Sequence, residues 1–151
     1  MIEKGGVFIL SVEFPSWGEF YRRFKNDPEK ARSESFGFGS KLGHTLMMKL
    51  NLKGDDPDTL AKVINAFMRE VKSETTAKVE DSKVIYRNRS FCQIMVSARS
   101  FNQPWLWLDE NVAWPFLAGL ASAVNPSVKH EVTRARAKGD PVCEHVFKIT
   151  K

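Results

Sequence analysis

The sequence predicts an α+β fold, in which helices pack on an antiparallel sheet. Apolar residues recur at helical spacing within residues 56–72, which indicates a core helix. Two β-prone segments near the end of the chain, 128–134 and 142–149, flank a turn that contains Gly139 and Pro141, and this arrangement predicts a hairpin. The predicted helices and strands do not alternate regularly, so α+β is favoured over a doubly wound sheet.

Length and composition are those of an ordinary globular protein. The 151 residues suffice for one domain with a sizeable core. Hydrophobic residues make up 42% of the chain and charged residues 27%, a composition that excludes a wholly disordered chain. No apolar run is long enough to span a bilayer and the start of the chain lacks a signal-peptide layout, so we expect no membrane span and a cytoplasmic location. The net charge is +5, but the positive residues are dispersed and match no nucleic-acid motif, so no nucleic-acid partner is expected.

Residues 1–34 are predicted to form an N-terminal unit that either closes a pocket or contacts a second copy of the chain. Residues 7–14 begin as an apolar run and then alternate, which predicts one strand. Ser16 is a capping residue at the start of a short predicted helix with an aromatic face. Residues 26–35 are polar, and they are either a connection or a helix entry with Pro28 in the first turn.

Residues 35–151 are predicted to form the ligand-binding domain. The clearest helix covers residues 56–72, with an aspartate at the N-cap and a proline at the first helical position. Residues 75–79 and 83–89 predict two short strands joined by a polar turn. The apolar segment 91–101 fits either a helix or a strand.

Small residues mark two further predicted helices. Residues 35–52 predict a helix that contains three glycines, and residues 111–124 predict a helix with Pro115 in its first turn. The glycines of residues 37–43 resemble a relaxed dinucleotide-binding pattern, but they do not follow a strand. We therefore expect them to allow close helix packing or a bend.

An aromatic cluster is the first candidate site. Trp105, Trp107 and Trp114 fall close together in the sequence, and Phe101 and Phe116 flank them. Aromatic walls make pockets for flat apolar ligands, and tryptophan adds a polar N–H. The cluster is either the wall of such a pocket or a solid core.

Two acidic residues lie beside the aromatic cluster. Asp109 and Glu110 directly precede the predicted helix 111–124. They are either helix caps at a positive N-terminus or polar groups at the mouth of a pocket.

The second candidate site surrounds Cys143. Cys143 and His145 lie two residues apart on a predicted strand, so their side chains share a face. Together with Glu131, His130 or Cys92 they offer ligands for a metal such as zinc. Alternatively, Cys143 is a thiol nucleophile whose base is one of the histidines. Two reduced thiols without either role also fit, because two cysteines make no disulfide framework in a chain of this length.

The C-terminal half resembles the 4-vinyl reductase domain family. The resemblance rests on the small-residue helix at 116–126, the segment 128–132, and above all residues 138–143, Lys-Gly-Asp-Pro-Val-Cys. It implies a fold similar to the haem-nitric-oxide-binding and Golgi-transport ligand-binding domains, which enclose an apolar cavity. It also implies a sensor or carrier of an apolar or aromatic small molecule, since members sense aromatic compounds or assist tetrapyrrole vinyl reduction. We expect such a domain to be a homodimer.

The family resemblance bears on the zinc hypothesis. Some sensors of the family hold zinc with cysteines and a glutamate, and Cys143 matches the last cysteine. Ala135 stands where an earlier cysteine is expected, and Glu131 lies near the expected glutamate. The residues left for a zinc site are Cys143, Glu131 and His145.

The end of the chain is also similar to the amino-thiazoline-carboxylate hydrolase-like family, on its Gly-x-x-x-Cys pattern from Gly139 to Cys143. That resemblance implies a small hydrolase that uses Cys143 with His145 or His130. A third hypothesis is an interaction protein that dimerises through an exposed aromatic face. Whether the chain is an enzyme stays open at this stage.

Overall fold

A computed structural model describes residues 6–9 and 12–150 and confirms the α+β class. The strands are β1 (Gly6–Ile9), β2 (Val12–Pro15), β3 (Ala77–Glu80), β4 (Lys83–Asn88), β5 (Val128–Arg134) and β6 (Cys143–Ile149). The helices are α1 (Trp17–Phe24), α2 (Pro28–Lys49), α3 (Pro57–Glu70), α4 (Gln93–Ser100), α5 (Trp105–Leu108) and α6 (Trp114–Val124). Among the described residues, no helix combines the length and the apolar character needed to cross a membrane.

The sheet is antiparallel, with strand order β3-β4-β6-β5. The predicted hairpins are confirmed, and the turn between β3 and β4 places Asp81 and Ser82 at positive φ, as a tight hairpin turn requires. The inner face of the sheet packs through Val84 and Phe147 onto the helices. The outer face carries charged side chains. The helices therefore cover one side of the sheet.

The N-terminal strand prediction needs a correction. Residues 7–14 are not one strand, because β1 and β2 pair antiparallel with Gly6 opposite Pro15. No Gly, Pro, Asn or Asp between the two strands marks the reversal in the sequence. The following helix α1 begins as predicted, since the Ser16 hydroxyl accepts the Glu19 N–H at 3.3 Å.

Helix α2 begins earlier than predicted. Pro28 is its first residue, and the Asp27 carboxylate accepts the Lys30 N–H at 3.1 Å, so residues 26–35 include a helix entry rather than a connection. The chain then continues without a break through the glycine-containing segment. The glycines did not weaken this helix enough to split it.

The glycines of α2 allow a close crossing with α6. A Cβ atom on Gly39 would overlap the Phe116 carbonyl, and one on Gly119 would overlap the Phe36 carbonyl. The two backbones are in direct contact, which only residues without a side chain permit. The expectation of close helix packing is confirmed.

The helix predicted at 111–124 begins earlier. α5, a π-helical turn (Asp109–Ala113) and α6 form one continuous helical segment from Trp105 to Val124. In the π turn the Trp114 N–H bonds to the carbonyl of Asp109, five residues before. Pro115 has no N–H, and its ring would clash with the carbonyl of a regular preceding turn, so the wider turn accommodates it.

Candidate functional site

A cavity of about 100 Å³ lies between the inner face of the sheet and helices α1, α3 and α6. Its apolar wall is rich in aromatic side chains. Five of its ten apolar residues carry aromatic rings: Trp17, Phe67, Phe91, Trp114 and Phe116, beside Met68, Val71, Ile94, Ala113 and Leu117. For scale, a cavity of about 150 Å³ holds a benzene molecule in an engineered protein. The space is about two thirds of that volume and is partly open to solvent, so a single-ring ligand would reach from it towards the opening.

Polar side chains line the cavity where strands β4 and β6 meet. Tyr86 pairs with His145 in the sheet and Asn88 pairs with Cys143, and strand alternation turns all four inwards. Cys92, which precedes α4, adds a second thiol. The cavity thus has an aromatic wall and a polar end.

Asp109 lies in the π turn and faces the cavity. It is only 5% exposed, and its Oδ2 atom has no hydrogen-bond partner in the described part of the chain. Burial, and to a lesser extent the charge of Glu110, raise the pKa of Asp109 to about 7. Because the helix begins at Trp105, Asp109 is no N-terminal cap. It is a polar group of the pocket, one of the two roles that the sequence left open.

Glu110 has a different environment from its neighbour. Its side chain is 44% exposed, and its carboxylate lies 4.0 Å from Lys138 Nζ. A charge in this position is well solvated and costs little. The two adjacent acidic residues therefore do not share a function.

His145, which is buried and lines the cavity, stacks on the half-buried His130 of the neighbouring strand. His130 Nε2 and His145 Nδ1 are 2.9 Å apart, and the two rings are nearly parallel at 5°. Burial lowers the pKa of His130 to about 4, and burial together with His130 lowers the pKa of His145 to about 3. Both rings are therefore neutral near pH 7, when one donates the shared hydrogen bond and the other accepts it.

The two thiols lie in surroundings that favour their protonated form. Burial is the main cause that raises the pKa of both Cys92 and Cys143. The Arg136 backbone N–H donates to Cys143 Sγ at 3.3 Å, while His145 is engaged with His130. A cysteine nucleophile needs a lowered pKa or an adjacent base, so this geometry gives the hydrolase hypothesis little support.

The residues predicted to bind zinc are not brought together. Glu131 pairs with Val146 and lies 3.5 Å from Lys148 Nζ on the outer face, whereas Cys143 and His145 face the cavity. The reason is the two-residue alternation of β5, which turns His130 inwards and Glu131 outwards. Within the described residues, no three or more His, Cys, Asp or Glu side chains are arranged to hold a metal ion.

Two of the five predicted aromatic ligand-binding residues line the cavity. Trp114 and Phe116 both project from the start of α6 into it. Phe116 also packs against Phe67, with ring centroids 5.1 Å apart. These residues join the cavity wall to the core.

The other three predicted residues lie outside the cavity wall. Trp105 packs under the Arg136 guanidinium, 5.8 Å from the ring centroid. Trp107 meets Tyr21 edge to face at 5.0 Å. Phe101 is 47% exposed. Trp105 and Trp114, nine residues apart, fall on opposite sides of a helix. Trp107 and Trp114, seven apart, would share a face in a regular helix, but the π turn between them shifts that register.

Sequence reasoning missed several residues that build the site. Trp17, Phe67 and Tyr86 come from three separate elements and meet only in the folded chain. Trp17 also contacts Gln93, with its Nε1 3.4 Å from the amide oxygen. The aromatic face of α1 was a signal for burial, but it did not identify the partner.

No protein-family model, curated protein or solved structure matches this chain. The functional argument therefore depends on the geometry of the cavity.

Proposed function

We propose that this domain binds one small apolar or aromatic molecule in the cavity and acts as a sensor or carrier. The observation that carries the proposal is a partly open pocket with aromatic side chains in its wall and polar groups at one end. Ligand pockets have this composition, because apolar walls provide affinity and a small number of polar groups fix orientation. The resemblance of the C-terminal half to the 4-vinyl reductase family agrees with such a role.

The cavity favours a binding site over a solid core. Protein interiors are close-packed, and a void of about 100 Å³ forfeits contacts between its walls. Polar groups in the wall make the loss greater, because a buried Asp109 oxygen without a partner carries a desolvation cost. A ligand that fills the space restores the missing packing contacts. If it also pairs with the polar end, it offsets the desolvation cost.

The proposal is tested by filling the cavity. Ala113 is half-buried in the π turn and lines the cavity, so Ala113→Leu should occupy the space of a ligand. Toluene and benzyl alcohol are the probes, and binding is followed by chemical-shift changes and calorimetry. We expect binding to the natural chain and its loss in the variant.

A matched control uses the same change on the same helical segment. Ala118 is also half-buried but does not line the cavity, so Ala118→Leu should retain probe binding. If the natural chain binds no single-ring probe at all, or if both variants bind the probes equally, the cavity is not the binding site. Urea unfolding of each variant checks that the fold is kept.

The hydrolase alternative has less support, because Cys143 is protonated and its nearest histidine is occupied. The expected homodimer stays a prediction, which sedimentation analysis of the purified chain checks. The expected cytoplasmic location likewise stays a prediction.

A further inference from the structure

One oxygen of the Asp109 carboxyl group stands out in the part of the chain that the structure describes. This atom, Oδ2, is buried, faces the cavity and forms no hydrogen bond within the described residues. Buried carboxylates are normally paired with a cation or satisfied by several donors. A donor that enters the cavity would satisfy this oxygen.

The nearest cationic side chains are engaged elsewhere. The Arg136 guanidinium donates to the Ser90 carbonyl at 2.7 Å and lies over the Trp105 ring. The Lys138 ammonium lies over the Trp114 ring, 4.0 Å from the Glu110 carboxylate. Among the described residues that line the cavity, none is a lysine or arginine. The site therefore offers one negative group without a protein counter-charge.

The walls around this carboxyl group favour a cation. Trp17, Trp114, Phe116 and Tyr86 surround the space with aromatic rings. The faces of such rings carry partial negative charge, and aromatic cages of this kind bind ammonium groups, particularly when water is excluded. One carboxylate inside an aromatic box is a combination that recognises an amine.

We infer that the ligand is a small apolar amine in its ammonium form, whose cationic group pairs with Asp109 and whose hydrocarbon part packs on the aromatic wall. This inference rests on the proposed function, since it names the ligand class of the same cavity. The ammonium N–H groups donate to the Asp109 carboxylate, and binding draws that carboxyl group into its ionised form.

The other titratable groups of the cavity wall do not change charge between pH 6 and 8. Burial raises the pKa of Tyr86 to about 12 and raises those of Cys92 and Cys143 above the ordinary thiol value. Burial lowers the pKa of His145 to about 3. Asp109, with a pKa of about 7, is the wall group that titrates in this range.

The experiment compares benzylamine with benzyl alcohol and toluene, which match it in size but are neutral. Affinities are measured by calorimetry on the full chain at pH 6, 7 and 8, a range in which benzylamine is protonated. We expect benzylamine to bind at least tenfold more tightly than toluene at pH 8. Its affinity should fall about tenfold from pH 8 to pH 6, since a carboxyl group with a pKa near 7 becomes mostly protonated over that range.

The variants are Asp109→Asn, which keeps the shape of the side chain, and Glu110→Gln, which removes a neighbouring charge outside the cavity. Asp109→Asn should lose at least tenfold in benzylamine affinity and keep toluene binding, whereas Glu110→Gln should keep both. Toluene binding that equals or exceeds benzylamine binding, or an Asp109→Asn variant with unchanged amine affinity, overturns the inference and leaves the proposed function intact. Binding of none of the three probes overturns both.

Discussion

The substitution Asp109→Asn should stabilise the ligand-free protein at neutral and alkaline pH. A pKa of about 7 instead of 3.8 corresponds to roughly 4 kcal/mol of lost folding free energy once the carboxyl group is ionised in both states, at about 1.4 kcal/mol per pH unit. Because Asp109 is only 5% exposed, solvent screening reduces this free-energy cost little. An unpaired asparagine amide costs about 1–3 kcal/mol in the same place. The net gain at pH 8 is therefore roughly 1–3 kcal/mol.

The sign of the pH dependence follows from the raised pKa. The folded state holds the Asp109 proton more tightly than the unfolded state, so this contribution to stability is complete below pH 3.8 and is lost as the pH rises to about 7. Asparagine does not titrate. The free energy of unfolding of the variant relative to the natural chain should therefore increase by roughly 2–3 kcal/mol between pH 5 and pH 8. His130 and His145 are present in both proteins, so their effect cancels in the difference.

Urea unfolding at pH 5, 6, 7 and 8, followed by tryptophan fluorescence, measures this difference. Glu110→Gln is the control, and it should retain most of the pH dependence, because burial outweighs Glu110 as the cause of the raised pKa. A stability difference between Asp109→Asn and the natural chain that stays constant from pH 5 to pH 8 would refute the reasoning. It would mean that Asp109 finds a partner or solvent in the ligand-free protein.

Three further predictions concern other parts of the fold. NMR titration should show no midpoint above about pH 5 for His130 or His145, and a midpoint near 6.5 would mean that the rings are hydrated. Gly39→Ala should lower the free energy of unfolding by about 1–3 kcal/mol, because the new Cβ would overlap the backbone of α6. Gly37 is exposed with open space around it, so Gly37→Ala should raise the free energy of unfolding by about 0.5–1 kcal/mol. Equal urea midpoints for these two variants would contradict the close helix crossing. Cys143 should react slowly with a disulfide reagent at pH 7.5, and more slowly still with toluene bound; a rate equal to that of the unfolded chain would show that the thiol is open to solvent.

The buried carboxyl group of Asp109 lowers the stability of the ligand-free protein. This carboxyl group does not improve packing, because a neutral side chain of the same size would fill the same space at a lower cost in folding free energy. Unfavourable buried charges cluster at functional sites for this reason. The amine inference and the stability prediction therefore give Asp109→Asn opposite effects: the variant should be more stable but bind amines less well.

Local patterns were enough for much of the fold. The cap and proline at the start of α3, the polar turns between strands, and the alternation of β5 and β6 are each encoded within a few neighbouring residues. Helix periodicity, capping and turn chemistry act over that same short range, so they can be read directly from the chain. The same holds for the glycines of α2, because the absence of side chains on a helix indicates close packing whatever the partner.

The site depended on contacts that no local pattern contains. Trp114 and Phe116 were predicted, but Trp17 and Tyr86 reach the same cavity from distant parts of the chain. Glu131 was placed with Cys143 by proximity in the hairpin, and only the strand register showed that it faces outwards. Which side chains face the cavity depends on how the helices and strands pack together.

The sequence by itself determined the α+β class and the C-terminal hairpin, because these follow from the chemistry of adjacent residues. Only the tertiary structure decided that Asp109 is a buried pocket group and Glu110 a solvated one. The two residues are neighbours with nearly the same chemistry. What separates them is the π turn before Pro115 and the cavity that distant aromatic side chains line, and burial there raises the pKa of Asp109.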